Sequence, residues 1–449
     1  MKRSFDTDGI SELVDLLRIP SYAGNEAGKK AAARACRDLL QQAGFVVTIA
    51  GPAEAPALVA TLDAPSPERL VFYNHYDVVA PGERNHWYHD PFEPHLDGAR
   101  LTARGASDHK ASFIARLAAV RRLKARGELP VGVTFLVDGE EEIGSPSLET
   151  IILTERDRLA AAGGLYSGGA RDEDGAMVVR AGCKGRCGIR MTVRAGEKDN
   201  HSKWAALLPA AAWRLVAALG SLRDGASGEI LVEGFREGIT GPDREDEAAL
   251  ARLSFDPDAF LREAGYDRLR EDTLESPLRH LMFEPTFNIA WLDAGPGGAT
   301  VLPGSATAFL DIRLVPGQSA DKTFQRVRDH LAKAGFGDVI LSAEGGGDPD
   351  KCDLSDPVVR ALVEACERLE EPYCLHPMGA GSGPRHLFRR HLGYSLVQDP
   401  GCSWQGSNDH AANENIMVPH FHQNRELIEH FLKAYGKRAN ASRTGGSEQ

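Results

Sequence analysis

Apolar residues recur along the chain with two periods. Ile10, Leu13, Leu16 and Leu17 share one face at helical spacing, and Ile19-Pro20 closes that helix because Pro20 disfavours helical backbone before it. A second helix is predicted over 26–43, with Gly44 as its stop. The stretches 45–49 and 57–61 read as short strands, and 70–75 as another that ends on His75. A long helix over 111–126 leads into the apolar, β-branched run 129–137, a buried strand. That strand ends on Asp138-Gly139-Glu140-Glu141-Glu142. Strands alternating with helices indicate an α/β sheet, with ligands at the carboxyl ends of strands. His75 and the acidic run both sit at such ends.

The pattern changes near Cys183. A half-exposed strand over 189–194, a helix over 209–222, strands at 286–291 and 306–314, a helix over 323–334 and a strand at 339–342 follow one another. This strand-helix-strand-strand-helix-strand order is ferredoxin-like. Residues 223–280 are polar, with long gaps between apolar runs, and read as an extended connection or insertion. Gly345-Gly346-Gly347 supplies a return hinge, after which helix–strand alternation resumes from Pro357 to about Gly436. The expected organisation is a catalytic α/β domain in two parts, 1–186 and 348–438, interrupted by an α+β domain at 187–347. A disordered tail is expected at 439–449.

At 449 residues, two or three structural units are expected. The net charge of −12 and the lack of a basic stripe argue against nucleic acid as a partner. Seven cysteines, scattered and odd in number, fit reduced thiols better than a disulfide framework. Cys183 and Cys187 have no second pair to complete a zinc ribbon and read as buried small residues. The first eight residues lack a signal core and no stretch reaches the ~18 apolar residues of a membrane span, so a cytoplasmic protein is expected.

Four segments concentrate metal-ligand side chains: His75-Tyr76-Asp77, Arg104-Gly105-Ala106-Ser107-Asp108-His109, Glu141-Glu142, and Asp409-His410 through Asn415. Each alone has an ordinary explanation, as a buried structural histidine, a helix cap, a solvated acidic turn or a surface loop. Together, two histidines, an aspartate and two glutamates without thiolates make a nitrogen and oxygen site suited to Zn2+, Mn2+ or Co2+. Such a site activates water and polarises a carbonyl while an unligated glutamate moves the proton.

Further stretches extend the pattern: His75 through Pro81, Trp87 with Asp90 through Pro94, Glu141 through Ser145, His201-Ser202, Thr286-Phe287-Asn288, Pro303 through Ala306, Asp311-Ile312-Arg313 and His410 through Ile416. In order and spacing they resemble the M20 metallopeptidases, and most nearly the carnosinase-type dipeptidases. The acetylornithine and succinyl-diaminopimelate deacylases belong to the same family.

The resemblance implies a zinc-peptidase-like catalytic domain with an inserted ferredoxin-like lid and dimerisation domain. It implies His75 as a ligand of one metal, oriented by Asp77, and Asp108 as a bridge between two. Glu142 and His410 serve the second metal, and Glu141 is the general base. His201 stabilises the oxyanion in the active site of a second copy, which implies a homodimer. Arg313 binds a substrate carboxylate, with Asn288, Ser382 and Gly383 also on the substrate. The expected cofactor is Zn2+, Mn2+ or Co2+, one or two ions per chain.

The resemblance also implies one more carboxylate ligand, at a strand end before a glycine pair. Ser167 stands there, or Gly168 if the register slips by one, and either way the carboxylate on the side of His75 is missing. His109 departs too, at a position where the family carries a second acid. Three arrangements follow: His109 compensates, Asp172 or Glu173 folds back, or a single ion binds at Asp108, Glu142 and His410. The last is the expected one. The expected activity is hydrolysis of a dipeptide or N-acyl amino acid with a free carboxylate. The alternative is an M20 fold whose degenerate metal site binds a ligand or performs non-hydrolytic chemistry.

Overall fold

The computed structural model describes residues 9–295 and 300–445. The first eight residues, read above as free of a signal core, lie outside them. Two sheets organise the chain. Their strands, in chain order, are β1 (Val46–Ala50), β2 (Ala57–Leu62), β3 (Arg69–His75), β4 (Gly132–Asp138), β5 (Gly164–Tyr166), β6 (Met177–Arg180), β7 (Gly185–Arg194), β8 (Thr286–Asp293), β9 (Ser305–Leu314), β10 (Ile340–Gly347), β11 (Tyr373–His376) and β12 (Leu396–Gln398).

The larger sheet has the order β1-β2-β4-β3-β5-β12-β6-β11. Its centre is parallel, with β4 and β5 flanking β3, and His75 lies opposite Asp138. Alternate residues of β3 enter opposite layers. Leu70 and Phe72 pack beneath Ile10–Leu17, Glu26–Gln42, Ala111–Ala125, Pro357–Arg368 and Val418–Gly445, while Val71 and Tyr73 face Leu148–Thr154 and Arg385–Leu392. Burial on both faces explains why β3 and β4 read as near-continuous apolar runs. It also leaves the carboxyl edge as the place where polar side chains from several strands meet.

The second sheet has the order β8-β9-β7-β10, antiparallel throughout. Leu215 of the helix Ala211–Leu222 and Val327 of Ala320–Lys333 join its apolar core with Ile189 and Leu310. This is the ferredoxin-like arrangement.

Three local expectations are corrected. Residues 223–280 carry the helices Arg244–Leu250 and Pro257–Ala264 and most of Pro277–Phe283, rather than an extended connection. Each is seven or eight residues long, too short to show a clear period. The glycine run is the end of β10, not a hinge. Gly346 has φ +133°, and a Cβ there would come within 2.1 Å of the Arg186 carbonyl oxygen, so glycine lets two backbones approach. Residues 439–445 continue the terminal helix instead of beginning a tail, and 446–449 lie outside the described residues. Among the described residues, no helix is long and apolar enough to cross a membrane.

Candidate metal centre

The site begins where β3 and β4 end side by side. His75 is buried, 2% exposed. Its Nδ1 lies 3.0 Å from the Asp77 carbonyl oxygen and 3.5 Å from the Asp77 carboxylate. That carboxylate also accepts the backbone N–H groups of Glu141 and Glu142, at 3.2 and 3.1 Å. Asp77 thereby fixes both a histidine and the turn Glu141–Ile143 that presents the two glutamates.

Asp108 stands between two imidazoles. Its Oδ1 is 3.0 Å from Nε2 of His75 and its Oδ2 is 2.9 Å from Nε2 of His410. His410 also reaches Glu142 Oε2 at 3.2 Å. Ligand atoms of His75, Asp108 and Glu142 fall within 4.8 Å of one another. Glu142 Oε1 is buried without a hydrogen-bond partner, an orphan lone pair aimed from a side chain only 5% exposed. Nitrogen and oxygen donors this close, with an unsatisfied carboxylate oxygen among them, fit a divalent cation. Asp108 is half-buried, and its desolvation favours the neutral form, but hydrogen bonds with His410 and His75 hold its carboxyl well below the usual range. Hydrogen bonds to Asp108 and Glu142 push His410 up to about 10.

Glu141 has a different environment. Burial, the largest influence, pushes its carboxyl up to about 7, with His75 opposing and Asp108, Glu142 and Asp77 adding to the rise. Tyr166 donates a hydrogen bond to its Oε1 at 3.0 Å. A carboxylate whose pKa is raised toward neutrality can take and return a proton. Glu141 opens onto a cavity of about 420 Å³, bordered also by Ser145, Arg186, Ser382, Gly383 and His386. Arg186 reaches this cavity from β7, so both sheets contribute to it.

Among the residues expected on substrate, Arg313 and Ser382 come together across the two sheets, with Arg313 Nη1 donating to Ser382 Oγ at 3.0 Å. Asp311 accepts from both Arg313 and Arg186. His201 and Asn288 are not brought to the metal ligands. His201 is exposed on a two-residue ladder with Val301, and its Nδ1 accepts the Lys203 backbone N–H. Asn288 is exposed on β8, opposite Asp311.

Neither expected substitute for the missing carboxylate is in place. The His109 ring packs beside that of His75, centroids 5.3 Å apart, but its Nε2 is 3.0 Å from the Gly168 carbonyl oxygen and its Nδ1 3.5 Å from the Asn74 amide. Asp172 Oδ1 accepts the backbone N–H groups of Asp174 and Ala176, closing its own turn, and Glu173 is exposed.

Two organising residues were not singled out from sequence. Glu414, 1% exposed, pairs with Arg104 at 2.6 Å and accepts the backbone N–H groups of Gly105, Ser107 and Asp108. It holds the Asp108 loop in shape from the segment that carries His410. Tyr166 is the other. Glu414 lies four residues beyond His410 inside a segment already rich in ligand types, which is the only sequence signal for it.

Comparison with known proteins agrees with this geometry. The model of Peptidase family M20/M25/M40 matches residues 71–434. The chain belongs to this family. Beta-Ala-His dipeptidase of Rattus norvegicus is 30% identical over 285 residues, covering 62% of this chain and 58% of that protein. The chain thus spans a little over half the length of that relative. The Cys-Gly metallodipeptidase of Saccharomyces cerevisiae is 25% identical over 403 residues, 83% of this chain and 80% of the relative. Among solved structures, an M20 family metallo-carboxypeptidase from Sulfolobus solfataricus superposes with a TM-score of 0.91 at 30% identity, covering 96% of this chain and 99% of the other.

Proposed function

We propose that this M20 chain hydrolyses the amide bond of a dipeptide or N-acyl amino acid bearing a free carboxylate. The observation that carries this is the placement of Glu141, a half-buried carboxyl pushed up to about 7, between the Asp108–Glu142–His410 group and a cavity bordered by Ser382, the residue to which Arg313 donates. Asp108, Glu142 and His410, with His75 on the other oxygen of Asp108, would hold a Zn2+, Mn2+ or Co2+ ion, which would supply Lewis acidity toward the scissile carbonyl and acidify water. Glu141 takes the proton from the attacking water and delivers it to the departing nitrogen, so amide and water become carboxylate and amine. Asp77 holds His75 and the glutamate turn in register for that transfer. Arg313 receives the substrate carboxylate in its guanidinium fork, with Ser382 and Gly383 beside it. His201 and Asn288 are exposed on the inserted domain, which fits their acting in a second copy of a cytoplasmic homodimer.

The test is a panel of dipeptides and N-acyl amino acids assayed with added Zn2+, Mn2+ or Co2+. Glu141→Gln is expected to lower kcat by about 10²–10⁴-fold. Unchanged turnover in that variant would remove Glu141 from the role of base. A second reading, a ligand-binding protein with a degenerate site, is favoured by the hydroxyl of Ser167. Saturable binding of the same compounds without turnover under any metal would establish it.

A further inference from the structure

The two oxygens of Asp108 face different surroundings. On the Oδ2 side, His410 and Glu142 complete a group of three residues, with Nε2 of His410 2.9 Å from Asp108 and 3.2 Å from Glu142. Ligand atoms around a tetrahedral ion with bonds of ~2.0–2.1 Å lie roughly 3.3 Å apart, so this spacing already resembles one side of a coordination shell. On the Oδ1 side stands His75, 3.0 Å away, with Glu142 the only other carboxylate whose ligand atom lies within 4.8 Å of both among the described residues.

A second ion beside His75 needs another anionic donor, and the resemblance to the family puts that donor at Ser167. β5 runs parallel to β3 with Leu165 opposite Phe72, so continuing the register two residues beyond that pair makes Ser167 level with Asn74, one rung before His75. Ser167 is 5% exposed, and its Oγ is buried with no hydrogen-bond partner. A neutral hydroxyl is a poor ligand for a divalent ion, because it lacks the charge that offsets the ion's loss of hydration.

The neighbouring carboxylates are committed elsewhere. Asp399 gives one oxygen to Arg116 at 2.8 Å and the other to Asn424 at 3.3 Å. Asp138 accepts from Gly139 and Glu140 on one oxygen and from Tyr73 and Ser145 on the other. Asp77 is taken by Glu141 and Glu142, and Asp172 by its own turn. His109 is directed at the Gly168 carbonyl.

We propose that this chain is a one-ion member of its family: the ion sits at Asp108, Glu142 and His410, and Ser167 has disabled the position beside His75. The proposal rests on the metal-dependent reading above. His75 then acts on Asp108, orienting its carboxylate through Oδ1, rather than as an essential ligand.

The experiment is Mn2+ binding to the full-length chain after chelator treatment, followed by calorimetry, elemental analysis and electron paramagnetic resonance. One ion per chain with the six-line spectrum of isolated Mn2+ is expected. Two ions with an exchange-coupled spectrum would overturn the proposal. No tight binding would overturn the metal-dependent reading itself. Ser167→Asp and Ser167→Glu are expected to raise the stoichiometry from one to two and to produce coupling. If every folded variant of the two stays at one ion, Ser167 is not what disables the second position. His410→Ala is expected to release the ion and His75→Ala to retain it; the reverse pattern would place the ion beside His75 and overturn the assignment.

Discussion

Glu414 shows how much a single residue can organise without touching substrate. Its carboxylate satisfies three amides of one loop, those of Gly105, Ser107 and Asp108, and the guanidinium of Arg104. Glu414→Gln keeps the shape, removes the charge and leaves Arg104 buried without a counterion. Breaking a buried pair in this way costs about 3–5 kcal/mol, and displaced supporting groups weaken metal binding by about 10–100-fold. Chemical denaturation and Mn2+ titration of the variant measure the two effects; stability and affinity matching the parent would show that the loop holds itself. The chemistry at this scale was readable where it was local. His75 with Asp77, and Glu141 with Glu142, are near neighbours in sequence, so their types and spacing announce them. Glu414 and Arg104 are separated by more than three hundred positions, and nothing in either segment names the other. Tyr166 was hidden for the same reason: its hydroxyl meets Glu141 only once β5 lies beside β3.

Among the elements, period located β1 to β4 and the strands and two flanking helices of the inserted sheet, because each buries at least one face, while β5 and β6 went unread and β11 and β12 were covered only by a general alternation after Pro357. It failed where elements are short or where glycine has more than one use. Gly345-Gly346-Gly347 looked like a flexible joint, yet these residues pair with β7 as the last rungs of β10, Gly346 opposite Cys187 and Gly347 opposite Arg186. Gly346→Ala would force a side chain into a backbone conformation rarely open to it and against the Arg186 carbonyl oxygen. The expected loss is about 2–3 kcal/mol, read as a lower denaturation midpoint with an unchanged m-value. A neutral result would mean that β7 and β10 separate easily at that rung. The short helices between Ala211–Leu222 and β8 were missed for another reason. Arg244–Leu250 is acidic over most of its first turn and buries only Asp246 and Ala249, so it offers no apolar stripe to detect.

At the scale of the whole molecule, the inserted sheet is tied back to the larger one at several points. Asp246 pairs with Lys351 at 3.0 Å, Glu245 with Arg360 at 3.1 Å, and Met282 and Phe283 pack on Met378. None of this was legible in the sequence, since it depends on where a helical excursion lands after the sheet has formed. The bond from Arg313 to Ser382 belongs with these ties but differs in what it spans. Before any substrate arrives, the guanidinium proposed to hold a carboxylate already rests on a hydroxyl from the opposite wall. That hydroxyl is a placeholder: an incoming acid anion inherits a receptor whose two walls are registered, and it need only share or take over a donor already in position. On the proposed role of Arg313, any small acid anion competes with substrate for this guanidinium. Acetate or formate should raise the apparent KM in proportion to its concentration while leaving kcat untouched. Steady-state kinetics in acetate against a chloride buffer of equal ionic strength reads this directly, and an unaltered KM would detach Arg313 from the substrate.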